Sequence, residues 1–412
     1  MKVLHLSKSD VLGGAAKAAY RLHKGLLALG VRSVMAVDEK ASTEPTVRGP
    51  QSLAAKALAK ASGHIDRLPL RLYPGHQPAW HPAWLRRKTP PKKLLREAHI
   101  VNLHWIVEGF VAVKDLAALE HRPVVWTLHD MWPFTGGCHY AQQCQKFTQL
   151  CGACPQLGSA RQRDLSRWVF KRKRRIYRSL SLHVVCPSRW LAQQVGQSAL
   201  LGSFPVRVIP NGLDTSVFKP IDKAVAREAL NLPQGKRLLL FGAHDVKEER
   251  KGFSYLKEAL SHLKARPMDR EGLLLLLFGA GREDSTSLPF EAHHVGMLSD
   301  EVSLALLYSA ADVYITPSLQ DNLPNTVMEA LACGTPVVAF ASGGIPEMFA
   351  HQEEGYLAQS GDSQDLARGI LWVLNHPRYQ ELADKARDRA QRHYSQETQA
   401  RRYRELYQEL VG

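Results

Sequence analysis

Residues 312–347 read DVYITPSLQDNLPNTVMEALACGTPVVAFASGGIPE, and this stretch decides the fold. Val313, Tyr314 and Ile315 make a short apolar strand that Pro317 and Ser318 bring to an end. Asn322 to Asn325 is a loop. Residues 326–333 have the composition of a short helix, stopped by Gly334-Thr335-Pro336. Residues 337–340 are an apolar run of strand length, and Gly343-Gly344 is a turn that opens a further helix. Two acids, Asp321 and Glu329, stand with seven residues between them, flanking the loop and the helix start. Strand, loop, helix, strand is the repeating unit of a parallel α/β sheet. It places both acids and a helix N-terminus at the carboxyl end of a strand, where open sheets bind ligands and the helix end favours phosphate.

The chain opens with the same unit. Lys2 to Ser7 is a strand, residues 9–14 a loop ending in Gly13-Gly14, and residues 15–29 a helix that Gly30 ends. The two glycines let backbone approach a ligand, and the free amides at the helix start suit an anion; a plain tight turn has the same appearance. The spacing is not G-x-G-x-x-G, which argues against a dehydrogenase. Further strands fall at 31–37, 100–103, 124–128 and 182–186, and in the second half at 237–241, 273–278, 295–298 and 355–357. His104 and His129 each sit just past the carboxyl end of a strand. The chain of 412 residues is 45% hydrophobic, ample for two or three cores. No apolar run approaches the ~20 residues of a membrane span, and MKVLHLSKSD reads as a strand rather than a signal peptide. A cytoplasmic protein is expected. The net charge of +15 calls for an anionic partner: nucleic acid, a membrane face or a phosphorylated substrate.

From Pro317 to Glu347 the sequence resembles the donor site of family 4 retaining glycosyltransferases, which have the GT-B fold. That family carries two acids at this spacing, a helix, a C-G-x-P-V-V-A strand and G-G-x-x-E. The first acid there is usually Glu; Asp321 is one methylene shorter. Ile209-Pro210-Asn211-Gly212-Leu213-Asp214 with Phe218 resembles the family's interdomain connection. The resemblance implies two Rossmann-like doubly wound domains facing across a cleft. Residues 1–205 would be the acceptor side and 206–389 the donor side, with a last helix in 390–412 packing back on the first. It implies that Lys251 holds the donor diphosphate. Ala243 stands where a second cation is usual, and Arg250 or Lys247 would supply the charge. It further implies Glu329 on the ribose, Asp321 on sugar hydroxyls, and Asn322, Leu323, Asn325, Thr326, Gly343 and Gly344 around the donor. Gly13 and Gly14 would form the first loop, with Lys17 adding charge. His129, in Thr-Leu-His-Asp, would lie near the sugar and diphosphate with Asp130 orienting its ring. The donor would be a nucleotide sugar and the acceptor a glycan or lipid-linked glycan. No cofactor or divalent metal is expected for catalysis, and no nucleic acid as partner. Two other readings stand beside this one. The acids could serve glycoside hydrolysis, against which the two-domain pattern argues. The chain could be a non-catalytic scaffold or membrane-bound partner with an impaired donor site.

Two stretches carry separate expectations. In TGGCHYAQQCQKFTQLCGACPQL, residues 135–157, Cys138, Cys144, Cys151 and Cys154 are spaced x5, x6 and x2. Four thiolates suit a structural tetrahedral zinc, with His139 as an alternative ligand; four separate buried thiols are the other reading. A Cys-rich insert at this point resembles a subgroup of family 4 that includes colanic-acid-type, exopolysaccharide-building enzymes. The run RWVFKRKRRIYR, Arg167 to Arg178, sets Trp168, Phe170, Ile176 and Tyr177 among seven cations on a helix. It is either a solvated face or a site of attachment to the anionic inner face of the plasma membrane.

Overall fold

The computed structural model describes residues 1–86, 92–245, 248–264, 272–280, 288–298 and 300–412; Lys247 lies outside them. The chain divides into two compact units, Met1–Pro210 with Gln399–Gly412, and Asn211–Thr398. Each is built on a parallel sheet.

In the first unit the strands are β1 (Lys2–Ser9), β2 (Arg32–Glu39), β3 (Val47–Arg48), β4 (Ile100–Leu103), β5 (Pro123–Thr127), β6 (Ser181–Cys186) and β7 (Val206–Val208). Their order among the described residues is β3-β2-β1-β4-β5-β6-β7. Strand order reverses between β1 and β4, so the carboxyl ends of these two strands flank a crevice of the ligand-binding kind. The helix Gly14–Ala28 follows β1. A late helix, Gln396–Val411, closes this core. Its Ala400, Tyr403 and Tyr407 pack against Val3, Ile100, Val125 and Val185. The Tyr403 hydroxyl lies 2.9 Å from Thr127 Oγ1, and Tyr407 Oη accepts from Asn102 Nδ2 at 2.6 Å.

The second unit repeats the plan with β8 (Arg237–Asp245), β9 (Leu273–Ala280), β10 (Ala292–Gly296), β11 (Val313–Thr316), β12 (Val337–Phe340) and β13 (Gly355–Ala358), in the order β10-β9-β8-β11-β12-β13. Its strands β9 and β12 are nearly continuous apolar runs because both faces are covered. Leu238, Leu240, Tyr314 and Val337 point to a cluster with Met328 and Leu331, while Leu239, Phe241, Val313 and Val338 point to one with Leu256, Leu260 and Ile370. The alternation is the strand's period of two, hidden in the sequence by uniform hydrophobicity.

Several boundaries differ from the sequence expectation. β7 belongs to the first sheet, paired to Val184–Cys186. β8 runs past Phe241, because pairing with β9 continues through Gly242 to Asp245. The strand expected at 295–298 is Ala292–Gly296. Gly343-Gly344 opens no helix, only a 3₁₀ turn at Ile345–Glu347. There the Ala350 amide donates to Glu354 Oε2 at 2.6 Å, which diverts it from any helical ladder. The field of a long helix is therefore absent at that turn. Among the described residues, no helix is long and apolar enough to cross a membrane.

Candidate active site

In the second unit three loops meet at the carboxyl ends of β8, β11 and β12. They approach so closely that only glycine fits at two points. Gly252 has φ +71°, and a Cβ there would stand 1.9 Å from the Pro317 carbonyl oxygen; Gly343 has φ +57°, and a Cβ there would stand 1.9 Å from the Asp321 carbonyl oxygen. Backbone bonds fasten the loops: Leu319 N–H to Arg250 O at 2.8 Å and Gly344 N–H to Asp321 O at 2.9 Å.

This framework brings Arg250, Lys251, Asp321, Asn322, Gly343 and Gly344 together. Asp321 Oδ2 accepts from Lys251 Nζ at 2.7 Å and Arg250 Nη1 at 3.2 Å, and its Oδ1 accepts from the Asn322 amide at 3.0 Å. Burial pushes the Asp321 carboxyl up, but Lys251 and Arg250 outweigh it and hold it down at about 2. The carboxylate is thus ionised and shared by two cations. Arg250, one of the two residues offered for the second cation, lies beside Lys251; its Nη1 also donates to Gln320 O at 2.7 Å and its Nε to Glu248 Oε1 at 2.8 Å.

Glu329 lies on the helix Asn325–Ala332 and is buried. Its Oε2 accepts from the Tyr308 hydroxyl at 3.1 Å. Burial first, then the Glu329 charge, raise the Tyr308 phenol well above its ordinary value, so it remains a donor. Tyr308 had no signal in the sequence beyond sitting in an apolar helix. Leu323 is buried beneath the loop. Asn325 Oδ1 lies 3.5 Å from Asn211 Nδ2, and Thr326 bonds the Tyr314 hydroxyl.

In the first unit Gly13 has φ +88° with open space where a Cβ would stand, and Gly14 begins the helix; Lys17 N–H donates to Gly13 O at 3.0 Å. His129 follows β5. Its Nε2 lies 3.1 Å from His104 Nδ1, and burial lowers its pKa to about 4. Asp130 does not turn that ring, as the Thr-Leu-His-Asp reading expects. Its carboxylate takes the His139 Nδ1 at 2.7 Å, the Trp105 Nε1–H at 3.2 Å and the Trp132 amide at 2.8 Å. The ring that meets His129 is His104, whose sequence signal was only its matching place at the end of the neighbouring strand.

A family model described as Glycosyltransferase Family 4 matches residues 12–217, and one described as Glycosyl transferases group 1 matches residues 222–393. The chain belongs to glycosyltransferase family 4. Among its relatives are D-inositol 3-phosphate glycosyltransferase 2 of Catenulispora acidiphila, 33% identical over 43% of this chain and 45% of the relative. The putative colanic acid biosynthesis glycosyl transferase WcaC of Escherichia coli K12 is 28% identical over 61% of this chain and 60% of the relative. The matches thus span about half the length of these curated relatives. Among solved structures, sucrose-phosphate synthase of Thermosynechococcus elongatus superposes with a TM-score of 0.69 at 21% identity, over 100% of this chain and 99% of that one. Anabaena HepE, in complex with UDP and glucose, superposes at 0.65 and 19%, over 100% of both chains. Both show the GT-B fold for this chain.

The Cys-rich insert carries two readings, a tetrahedral zinc site and separate buried thiols. Among the described residues no three His, Cys, Asp or Glu side chains gather in a group that could hold a metal ion. Cys138 and Cys154 sit in an apolar cluster with Leu70, Trp80, Leu157 and Val169, while Cys151 joins the main core. Burial pushes the Cys138 and Cys154 thiols up, and Cys151 up to about 12. His139 is committed to Asp130 and to His81 Nδ1, 2.7 Å away. The basic run forms the helix Leu165–Tyr177, and it is not wholly a surface feature. Lys173 is buried, 3.4 Å from the Trp132 ring centroid, and donates to the Trp132 and Thr135 carbonyls. Burial brings its pKa down to about 7. Trp168 is 44% exposed with Arg172 stacked 4.0 Å above it.

Proposed function

We propose that this glycosyltransferase moves a sugar, with retention of anomeric configuration, from a nucleotide-sugar donor to a glycan or lipid-linked acceptor in exopolysaccharide or cell-surface assembly. The observation that carries the reading is the Arg250–Lys251–Asp321 cluster at the strand ends, with Glu329 held ready by Tyr308. Anabaena HepE has been solved with UDP-glucose, and WcaC is named for colanic acid biosynthesis.

A sugar nucleotide leaves as a charged diphosphate, so catalysis needs positive charge placed before the bond breaks. Lys251 and Arg250 supply it. Without donor, Asp321 pairs with both, and Glu248 pairs with Arg250 as well. A donor diphosphate competes for the cations and releases the carboxylate, which then accepts from hydroxyls of the sugar. Glu329 is a fixed acceptor for the ribose hydroxyls, and the Gly344 amide braces the loop by donating to the Asp321 carbonyl. The cations meet the leaving charge by themselves, so no divalent metal is required. The exposed Trp168 and the half-buried Arg172 stacked on it are the contact to an anionic membrane face that carries the acceptor.

A thermal-shift panel of UDP, GDP, ADP, CMP and their sugar conjugates, with and without chelator, tests this reading. One nucleotide is expected to raise the melting temperature whether or not chelator is present. No shift with any of them would favour a scaffold with an impaired donor site. The anomeric signal of the product, followed by NMR from the first turnovers, reports retention or inversion.

A further inference from the structure

Three imidazoles form a hydrogen-bonded row inside the first unit. His5, on β1, places Nδ1 2.9 Å from His104 Nε2, and His104, just past β4, places Nδ1 3.1 Å from His129 Nε2. The rings of each pair are nearly parallel, inclined by 23° and 25°. His5 and His104 are buried, and the charges acting on His104 are those of other imidazoles. His104 is pinned by its backbone: its amide donates to Leu6 O at 2.9 Å and its carbonyl accepts from Trp126 Nε1 at 3.2 Å.

A neutral imidazole has one N–H, so two bonds among three such rings must run in one direction. If they run from His129 toward His5, then His5 Nε2 carries a hydrogen. If they run the other way, His5 Nε2 is a bare lone pair. That nitrogen is buried without a hydrogen-bond partner among the described residues. A buried N–H without an acceptor is somewhat rarer than an unmet acceptor. The row therefore runs from His5 Nδ1–H to His104 Nε2, and from His104 Nδ1–H to His129 Nε2. His129 is left with its hydrogen on Nδ1.

We propose that His5 and His104 are positioning residues that fix His129 as the Nδ1–H tautomer, so that it serves sugar transfer as a hydrogen-bond donor rather than as a base. The role of His129 in transfer rests on the function proposed above; the tautomer does not. Burial keeps all three rings neutral at physiological pH, which the row needs. An imidazolium at His129 would set its Nε2–H against the His104 Nδ1–H, and one at His104 would set its Nε2–H against the His5 Nδ1–H.

The test is a long-range ¹H–¹⁵N correlation spectrum of the full chain labelled at histidine. The wild type is expected to show a pyrrole-type Nδ1 and a pyridine-type Nε2 at His5, His104 and His129 alike. In His104→Phe the His129 tautomer is expected to change toward the Nε2–H form that free histidine prefers. Should that variant fail to fold, His5→Phe cuts the row at its far end, and the same change is expected at His104. A wild-type His129 protonated on Nε2, or a His129 tautomer indifferent to loss of His104, would overturn the proposal. If the spectra come out as expected but His129→Phe keeps full transferase activity, the row stands and the catalytic reading of His129 falls.

Discussion

Asp321→Asn separates the two tasks assigned to this carboxylate. The side chain keeps its shape and loses its charge, leaving Lys251 and Arg250 without the anion they share. The carboxyl titrates near 2 in the folded protein against 3.8 when free, which corresponds to about 2 kcal/mol of folding stability at neutral pH. The folded pKa lies below the unfolded one. The stabilisation is thus complete above about pH 4 and drains away as pH falls toward 2. At pH 7 the variant should be less stable by about 2 kcal/mol, or about 4–8 °C in the transition of a unit this size. Differential scanning calorimetry reads the shift. Acid titration of the urea midpoint should show the wild-type slope between pH 4 and 2 flattened in the variant. Inorganic pyrophosphate supplies the second readout, since it needs no base recognition. With the competing carboxylate gone, it should bind the variant more tightly, by up to about tenfold, equivalent to ~1.4 kcal/mol. An unchanged melting temperature would refute the ion-pair argument, and weaker pyrophosphate binding would refute the competition.

Other outcomes follow from the same structure. Glu329→Ala is expected to abolish nucleotide binding while the circular dichroism spectrum stays native; unchanged affinity in calorimetry would remove Glu329 from the site. Tyr308→Phe deletes one donor to Glu329 and should weaken nucleotide binding by roughly ten- to a hundredfold, the worth of one hydrogen bond to a charged group. Burial holds His23, His81 and His129 near 4, below the ordinary 6.5. The unfolded chain therefore takes up protons first as pH falls, and stability should decline from about pH 6.5 toward 4. Each ring removes ~1.4 kcal/mol by pH 5.5, which urea midpoints at pH 7 and 5.5 would show. Trp168→Glu should reduce sedimentation with anionic vesicles without altering nucleotide binding; equal sedimentation would leave the basic helix a solvated face.

Both parallel sheets were legible because their strands are short apolar runs bounded by Gly, Pro and polar turns, and the donor loop because its acids and glycines sit at fixed spacing. What escaped the sequence depends on partners far along the chain. Asp321 could be found, but not that Arg250 and Lys251 share it, since a loop of uncertain length separates the cations from the β8 framework. Glu329 was visible and Tyr308 was not, because a buried tyrosine among leucines looks like core until its hydroxyl has a partner. In the insert, spacing could pair Cys151 with Cys154, but not show that Cys154 packs with Trp80 and Val169. His104 was read as one more strand-end histidine because the stacking that joins it to His5 and His129 spans three strands.

The late helix Gln396–Val411 means that the first unit is assembled from two distant pieces of chain. On the ribosome, the first sheet emerges early, but the strip formed by Val3, Ile100, Val125 and Val185 waits uncovered until Tyr403 and Tyr407 arrive, after the whole second unit has been made. The second unit can finish first, nested inside the unfinished one. The same nesting governs chimeras. Grafting a different donor unit by a single cut near Pro210 would carry the closing helix of the wrong parent into this core, and would leave Thr127 and Asn102 facing strangers. A two-cut graft, after Pro210 and before Gln399, keeps each core with its own helix.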